Sequence, residues 1–218
     1  CVAPDQRGYG KTKSKTKETL NSYSVLNLTK DMFYLLKKLN IEKYHLIGHD
    51  FGAYVSSFLS LLYPKNMLSL TLMSMPFPGP PNLKNINHML KINKKLALLK
   101  PKRKHYQYYF SSKNATDNIM KCNQGLNDFL RSYFHFKSFD FKMNKPHKLK
   151  NFSAKEISIM PEYYIMKLNL GIAQTVKNYS PSKKEVLSCK WLNNIDLKYY
   201  VKNFLESGIK KPLSWYKV

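Results

Sequence analysis

The sequence predicts an α/β protein, with a partial parallel sheet over residues 1–78 followed by a mostly helical region over 79–218. Three observations lead there. Residues 1–78 alternate short apolar runs with helical patterns, the mark of strand–helix–strand units. A Gly-x-Asp-x-Gly turn joins one such strand to one such helix at 48–52. A Pro/Gly-rich stretch, Pro76-Phe77-Pro78-Gly79-Pro80-Pro81, then separates this pattern from a Lys- and Tyr-rich remainder of helical periodicity.

Element by element, Ser24 stands where an N-cap belongs, and Val25, Leu28, Met32, Leu35, Leu36 and Leu39 share one helical face behind it. Tyr44 to Ile47 form a short buried strand. A second helix carries Tyr54, Val55, Phe58, Leu59 and Leu62 and stops near Pro64, which cannot continue it. Leu68 to Ser74 form a further strand. In the remainder, helices are expected over 103–112, 125–138, 153–178 and 194–207. Cys1 to Asp5 are expected to lie in a strand. Leu46, Ile47, Leu70 and Leu72 should need covering layers, since each buried aliphatic contributes ~1.5–3 kcal/mol.

Composition narrows the function. The 43% of hydrophobic residues supply a core, so the chain is not a disordered one. No run approaches the ~18 apolar residues of a membrane span. Three scattered cysteines without a CxxC spacing exclude a disulfide framework and a zinc site, and fit a reducing cytoplasm. The net charge of +24 would suit nucleic acid, but only Arg7, Arg103 and Arg131 are arginines. Base and phosphate readers rely on the Arg fork, so the lysines are read as a solvated surface, with no specific nucleic-acid partner.

The chemistry centres on Asp50. In the nucleophile elbow G-x-nucleophile-x-G, small residues let a strand reverse sharply into a helix and thrust the central side chain forward in a strained conformation. Gly48 and Gly52 occupy the small positions and Ala53 lets the helix pack closely. A carboxylate is already anionic and needs no base to attack an sp³ carbon, giving an alkyl-enzyme ester that water must cleave. The Phe51 N–H, at the helix N-terminus, would steady the oxyanion of that second step. The alternative, an Asp that merely caps a helix, is common. The strand before it and the amphipathic helix after it favour the nucleophile.

Ala3-Pro4-Asp5-Gln6-Arg7-Gly8-Tyr9-Gly10 and His45-Leu46-Ile47-Gly48-His49-Asp50-Phe51-Gly52-Ala53 resemble successive signatures of the epoxide hydrolase branch of the α/β hydrolases. Lys104-His105-Tyr106-Gln107-Tyr108-Tyr109-Phe110, the stretch Phe129 to Ser138 and Leu213-Ser214-Trp215-Tyr216 resemble its cap segments. The resemblance implies a partial α/β-hydrolase core with a helical cap (lid), a small-molecule substrate such as an epoxide, and no metal or organic cofactor. It implies that Tyr109 and Tyr216 donate hydrogen bonds to the epoxide oxygen, and it leaves Tyr106, Tyr108, Tyr133, Tyr163 and Tyr164 to packing. His49 is expected to orient or pack; Asp5 and Arg7 are expected to organise their loop.

Phe51 departs from relatives that carry Trp there to bind halide, which lowers a haloalkane dehalogenase reading without removing it. A catalytically silent Lys-rich binding protein on the same fold is the reading from another class. An earlier His-Gly-x-Pro-like loop and a later acid and His, which the resemblance also implies, are not in this sequence. The chain is therefore expected to be a piece of a longer protein.

Overall fold

The computed structural model describes residues 1–15, 17–77, 79 and 88–218. Two compact units divide the chain, Cys1–Lys84 with Lys217–Val218, and Asn85–Tyr216. The sequence boundary expected at 78/79 falls beside residues 78 and 80–87, which lie outside the described residues.

The first unit opens with Cys1 to Gln6, which form no regular structure. The strand expected there does not form, because a strand needs a neighbour to take its backbone hydrogen bonds. A 3₁₀ turn, Leu20–Tyr23, leads into α1, Val25–Lys38. Ser24 occupies the N-cap position, though its side chain makes no capping hydrogen bond. Strand β1, Tyr44–His49, runs into α2, Phe51–Leu62, and β2, Met67–Met73, follows a 3₁₀ turn at Pro64–Asn66. β1 and β2 pair in parallel, with His45 opposite Ser69, Ile47 opposite Thr71 and His49 opposite Met73. Period-two alternation places Leu46, Gly48, Leu70 and Leu72 on one face and those three pairs on the other. Leu46, Leu70 and Leu72 are half-buried, whereas Ile47 is 68% exposed.

The second unit contains α3, His88–Ala97, then β3, Arg103–His105, and α4, Tyr106–Phe110. After α5 (Asn114–Met120) and α6 (Gly125–Lys137) come α7 (Ala154–Ile157), β4 (Ile165–Lys167) and α8 (Ile172–Lys177). It ends with α9 (Lys183–Ser188), α10 (Asn194–Ser207), α11 (Lys210–Leu213) and a 3₁₀ turn at Ser214–Tyr216.

Two of the expected helices stand, as α6 and α10; two are corrected. Residues 103–105 are a strand, because Arg103, Lys104 and His105 pair antiparallel with Lys167, Met166 and Ile165. The expected 153–178 helix is broken: Pro161 has no N–H to continue the ladder, and Gly171 starts α8 afresh. Two apolar clusters build this unit. One gathers Tyr109, Phe110, Phe129, Leu130, Phe136 and Trp215's neighbour Leu213; the other packs Ile92 and Leu96 of α3 on Ala154, Ile157 and Ile165.

Candidate active site

Asp50 is the hinge between β1 and α2. Its N–H donates to Met73 O (3.2 Å), which ties the end of β1 to β2, and its carbonyl accepts from Ala53 N–H (2.9 Å), which starts the helix. Between these two bonds the backbone sits at φ 52° and ψ −122°, a region that costs a non-glycine residue ~1–3 kcal/mol. The side chain is exposed, and its Oδ1 accepts from Phe51 N–H at 2.8 Å. Ser74, just past the end of β2, also has a positive φ, 62°. Strained residues thus occupy the carboxyl ends of both strands of this parallel sheet, the end at which such sheets bind ligands.

Gly48 makes the sharp reversal possible. A Cβ at this position would lie 2.5 Å from Gly52 O, 2.6 Å from Ser56 Oγ and 2.7 Å from Ala53 Cα, so helix backbone fills the space a side chain would need. Gly52 is different. The nearest atom to a Cβ there is Gln6 Nε2 at 3.8 Å, so the second small position of the motif is not enforced by packing. Gln6 itself has a buried Oε1 without a hydrogen-bond partner among the described residues.

A cavity of about 280 Å³ lies beside the elbow, bordered by Gly48, His49 and Gly52 and by aliphatic side chains of α1 and α2. Asp50 does not line it. Arg7 donates to both carboxylate oxygens of Asp31 (2.8 and 2.6 Å), pinning its loop to α1. That hydrogen bond raises the guanidinium pKa against the opposing effect of burial. Asp5 accepts from Lys11 N–H at 3.1 Å. These are the loop-organising contacts expected for Asp5 and Arg7.

Tyr109 and Tyr216 lie in the second unit. Tyr109 is 6% exposed, and its Oη meets no group at hydrogen-bond geometry among the described residues. Burial pushes its phenol up to about 12, with the Ile172 backbone pulling the other way. Lys104 Nζ stands 4.8 Å from the centre of the Tyr109 ring and donates to Leu168 O (2.9 Å); burial lowers its own pKa. Tyr216 is half-buried. Its ring lies 5.2 Å from Phe110 and 6.0 Å, edge-on, from Tyr106. The tyrosine that meets Tyr216 ring to ring is therefore Tyr106, which the sequence reading assigned to packing.

Three bonds place Tyr106 at the start of α4. Its N–H donates to Tyr164 O (2.8 Å), the preceding His105 N–H donates to Asn93 Oδ1 (2.9 Å), and His105 Nδ1 accepts from Gln107 N–H (3.3 Å) as the helix cap. A signal was present in the sequence: His105 directly before a run of aromatics has the N-cap position available to it. What hid it was the strand at 103–105, whose partner lies some sixty residues away.

Three of the other histidines have structural partners. His45 Nδ1 meets Ser69 Oγ across the strands at 2.7 Å, His147 Nδ1 meets Lys145 O at 3.0 Å, and His135 Nε2 lies 3.8 Å from Glu185. The His88 side chain lies outside the described residues. Among the described residues no group of three His, Cys, Asp or Glu side chains could hold a metal, and no helix is long and apolar enough to cross a membrane.

Comparison with known proteins agrees with this geometry. The alpha/beta hydrolase fold family matches residues 1–159. The chain is similar to bifunctional epoxide hydrolase 2 of Sus scrofa, 25% identical over 217 residues that make up 99% of this chain and 32% of that protein. It is also similar to epoxide hydrolase 3 of Siraitia grosvenorii, 40% identical over 77 residues, which are 35% of this chain and 24% of that protein. Among solved structures, an epoxide hydrolase from an endophytic Streptomyces superposes with a TM-score of 0.69 at 18% identity, over 97% of this chain and 55% of that one. The chain thus spans about a third of the first of these relatives and about half of the solved structure.

Proposed function

The chain belongs to the alpha/beta hydrolase fold family, and from that premise we propose that it carries the nucleophile of an epoxide-opening hydrolase. The observation that carries this reading is Asp50, an exposed carboxylate on a strained elbow with one oxygen on a helix-terminal amide. With Oδ1 held by Phe51 N–H, Oδ2 is the oxygen left to attack. It forms a bond to an epoxide carbon as the ring C–O bond breaks, and a phenol gives its proton to the departing oxygen. Water then adds to the ester carbonyl. The charge of that step develops on Oδ1, the atom the Phe51 amide already meets, so the donor needs no reorganisation. Cleavage of the ester C–O bond restores the carboxylate and releases a vicinal diol; of the two water protons, one goes to the departing diol oxygen and the other returns to the phenolate. The names of the similar proteins support this substrate class, and the small-molecule partner it requires.

Tyr216 is the phenol we assign to ring opening. Tyr109 is the second phenol implied by the family resemblance, but burial raises its pKa and its ring belongs to the apolar cluster. Tyr106, against Tyr216, competes for the same role. In the full-length enzyme, Tyr216→Phe should slow ring opening by roughly 10²–10³-fold. Of Tyr106→Phe and Tyr109→Phe, the one that acts on the epoxide should compound that loss, and the other should leave the rate within about twofold.

The nucleophile itself is tested by a single turnover in heavy-oxygen water with enzyme in excess. The first diol should carry no solvent oxygen, and the label should enter Asp50. Labelled diol from the first turnover would mean direct attack by water and would remove Asp50 as nucleophile.

A further inference from the structure

A second pocket, not lined by Tyr106, Tyr109 or Tyr216, lies where α6 meets α10. Its volume is about 270 Å³, and its walls are Phe134 of α6, Trp191 and Leu192 of the loop before α10, and Asp196, Tyr199 and Tyr200 of α10. Three of these rings are exposed to an extent unusual for such large apolar groups: Trp191 50%, Tyr199 65% and Tyr200 44%. Scattered exposed aromatics are ordinary, but here they converge on one cavity.

The walls are held in place without a ligand. Trp191 Nε1 donates to Asp140 Oδ2 at 2.7 Å, which fixes the plane of the indole. Phe134 and Tyr200 lie 5.4 Å apart, tilted by 59°. Asn193 Nδ2 donates to Asp196 Oδ2 at 2.8 Å while Asn193 Oδ1 accepts from Asp196 N–H, so the carboxylate is locked into the first turn of α10. Leu192, buried, forms the floor.

Aromatic faces carry negative charge density, and Trp presents the most favourable one to a cation. Asp196 is the single charged side chain in the lining. No lysine contributes, in a chain whose Lys and Arg together number 37. We propose that this pocket binds an organic cation of the methylated-ammonium type, its head group between the rings and its charge opposite Asp196. Lys190 adjoins Trp191 and Lys198 adjoins Tyr199 in the sequence, and neither lines the pocket. The test is run at about 0.15 M ionic strength, where the Debye length is ~8 Å, so that the diffuse lysine field is damped.

The test uses the chain itself at that ionic strength, with choline as probe and tryptophan fluorescence as readout. The second tryptophan, Trp215, is buried at 5% exposure, so Trp191 should carry the response. Choline should give a saturable change that vanishes in Trp191→Phe. Asp196→Asn, isosteric and able to keep the helix turn, should weaken choline roughly tenfold, and Tyr199→Ala roughly fivefold. The uncharged isostere of choline, with carbon in place of the quaternary nitrogen, should bind at least about tenfold more weakly to the unaltered chain. Circular dichroism establishes that each variant is folded. Equal binding of choline and its isostere, indifference to Asp196→Asn, or no saturable response from the folded chain would each overturn the proposal.

Discussion

Asp50 stays in its strained conformation because the bonds on either side over-determine it, with Met73 O holding its N–H and Ala53 N–H holding its carbonyl. Gly48 is the residue that lets those bonds coexist, and the two glycines of the motif should therefore behave oppositely. Gly48→Ala drives a methyl into helix backbone and should cost about 1–3 kcal/mol, with a lower thermal midpoint. Gly52→Ala meets only ordinary contact inside the first turn of α2 and should gain up to ~1 kcal/mol from helix propensity. A thermal melt of both variants checks this; equal losses would show that Gly52 is packed as tightly as Gly48. The G-x-D-x-G spacing was legible in the sequence because the elbow is a five-residue problem. The inequality of its two glycines was not, since it depends on Ser56 and Gln6.

At the scale of elements, the β3–α4 junction shows how one side chain can couple a helix start to pH. His105 caps α4 through Nδ1, and burial lowers its pKa from the ordinary 6.5 to about 4. The folded protein therefore holds His105 neutral where the unfolded chain would bind a proton. The contribution is fully present above pH ~6.5 and is lost as pH falls from about 6.5 toward 4, amounting to at most ~3 kcal/mol. Denaturant unfolding should be easier at pH 5 than at pH 7 for this reason. His105→Asn, which retains a capping side chain but does not titrate, should remove that part of the slope. An unchanged slope in the variant would assign the pH dependence to other groups. The cap signal at His105 was masked in the sequence, because a 103–112 helix would place His105 in its interior. Only the pairing of His105 with Ile165 makes it the last strand residue and thus the first cap.

For the molecule as a whole, the excess of lysine is the dominant physical property. Lysines spread along the chain give a diffuse field, without the arginine forks that recognise bases or phosphates in fixed geometry. Binding to duplex DNA should therefore be weak and indifferent to sequence. It should fall by roughly 10³-fold or more between 50 and 200 mM salt, as expected if six or more phosphates are neutralised. A salt titration of two unrelated duplexes checks it; sequence-selective binding that survives physiological salt would reverse the order of the functional readings. The same scale governs the sheet of the first unit, where α1 and α2 pack together and α2 lies on β1 and β2, while Ile47 remains 68% exposed.

The sequence by itself determined the α/β class, the extents of β1, α2, β2, α6 and α10 to within a residue or two, and the place of Asp50 in a strand–turn–helix. These are legible because periodicity, glycine spacing and proline stops act between residues a few positions apart. Only the tertiary structure decided that 103–105 is a strand, that 153–178 is three elements, and that Tyr216 meets Tyr106 while Tyr109 turns into the core. The strand pairing and the tyrosine contacts depend on partners some sixty to a hundred and ten residues apart; the break in 153–178 was already marked locally by Pro161 and Gly171. A tyrosine's local sequence says that it will bury a ring, but the side from which neighbours arrive decides whether its hydroxyl is left to do chemistry.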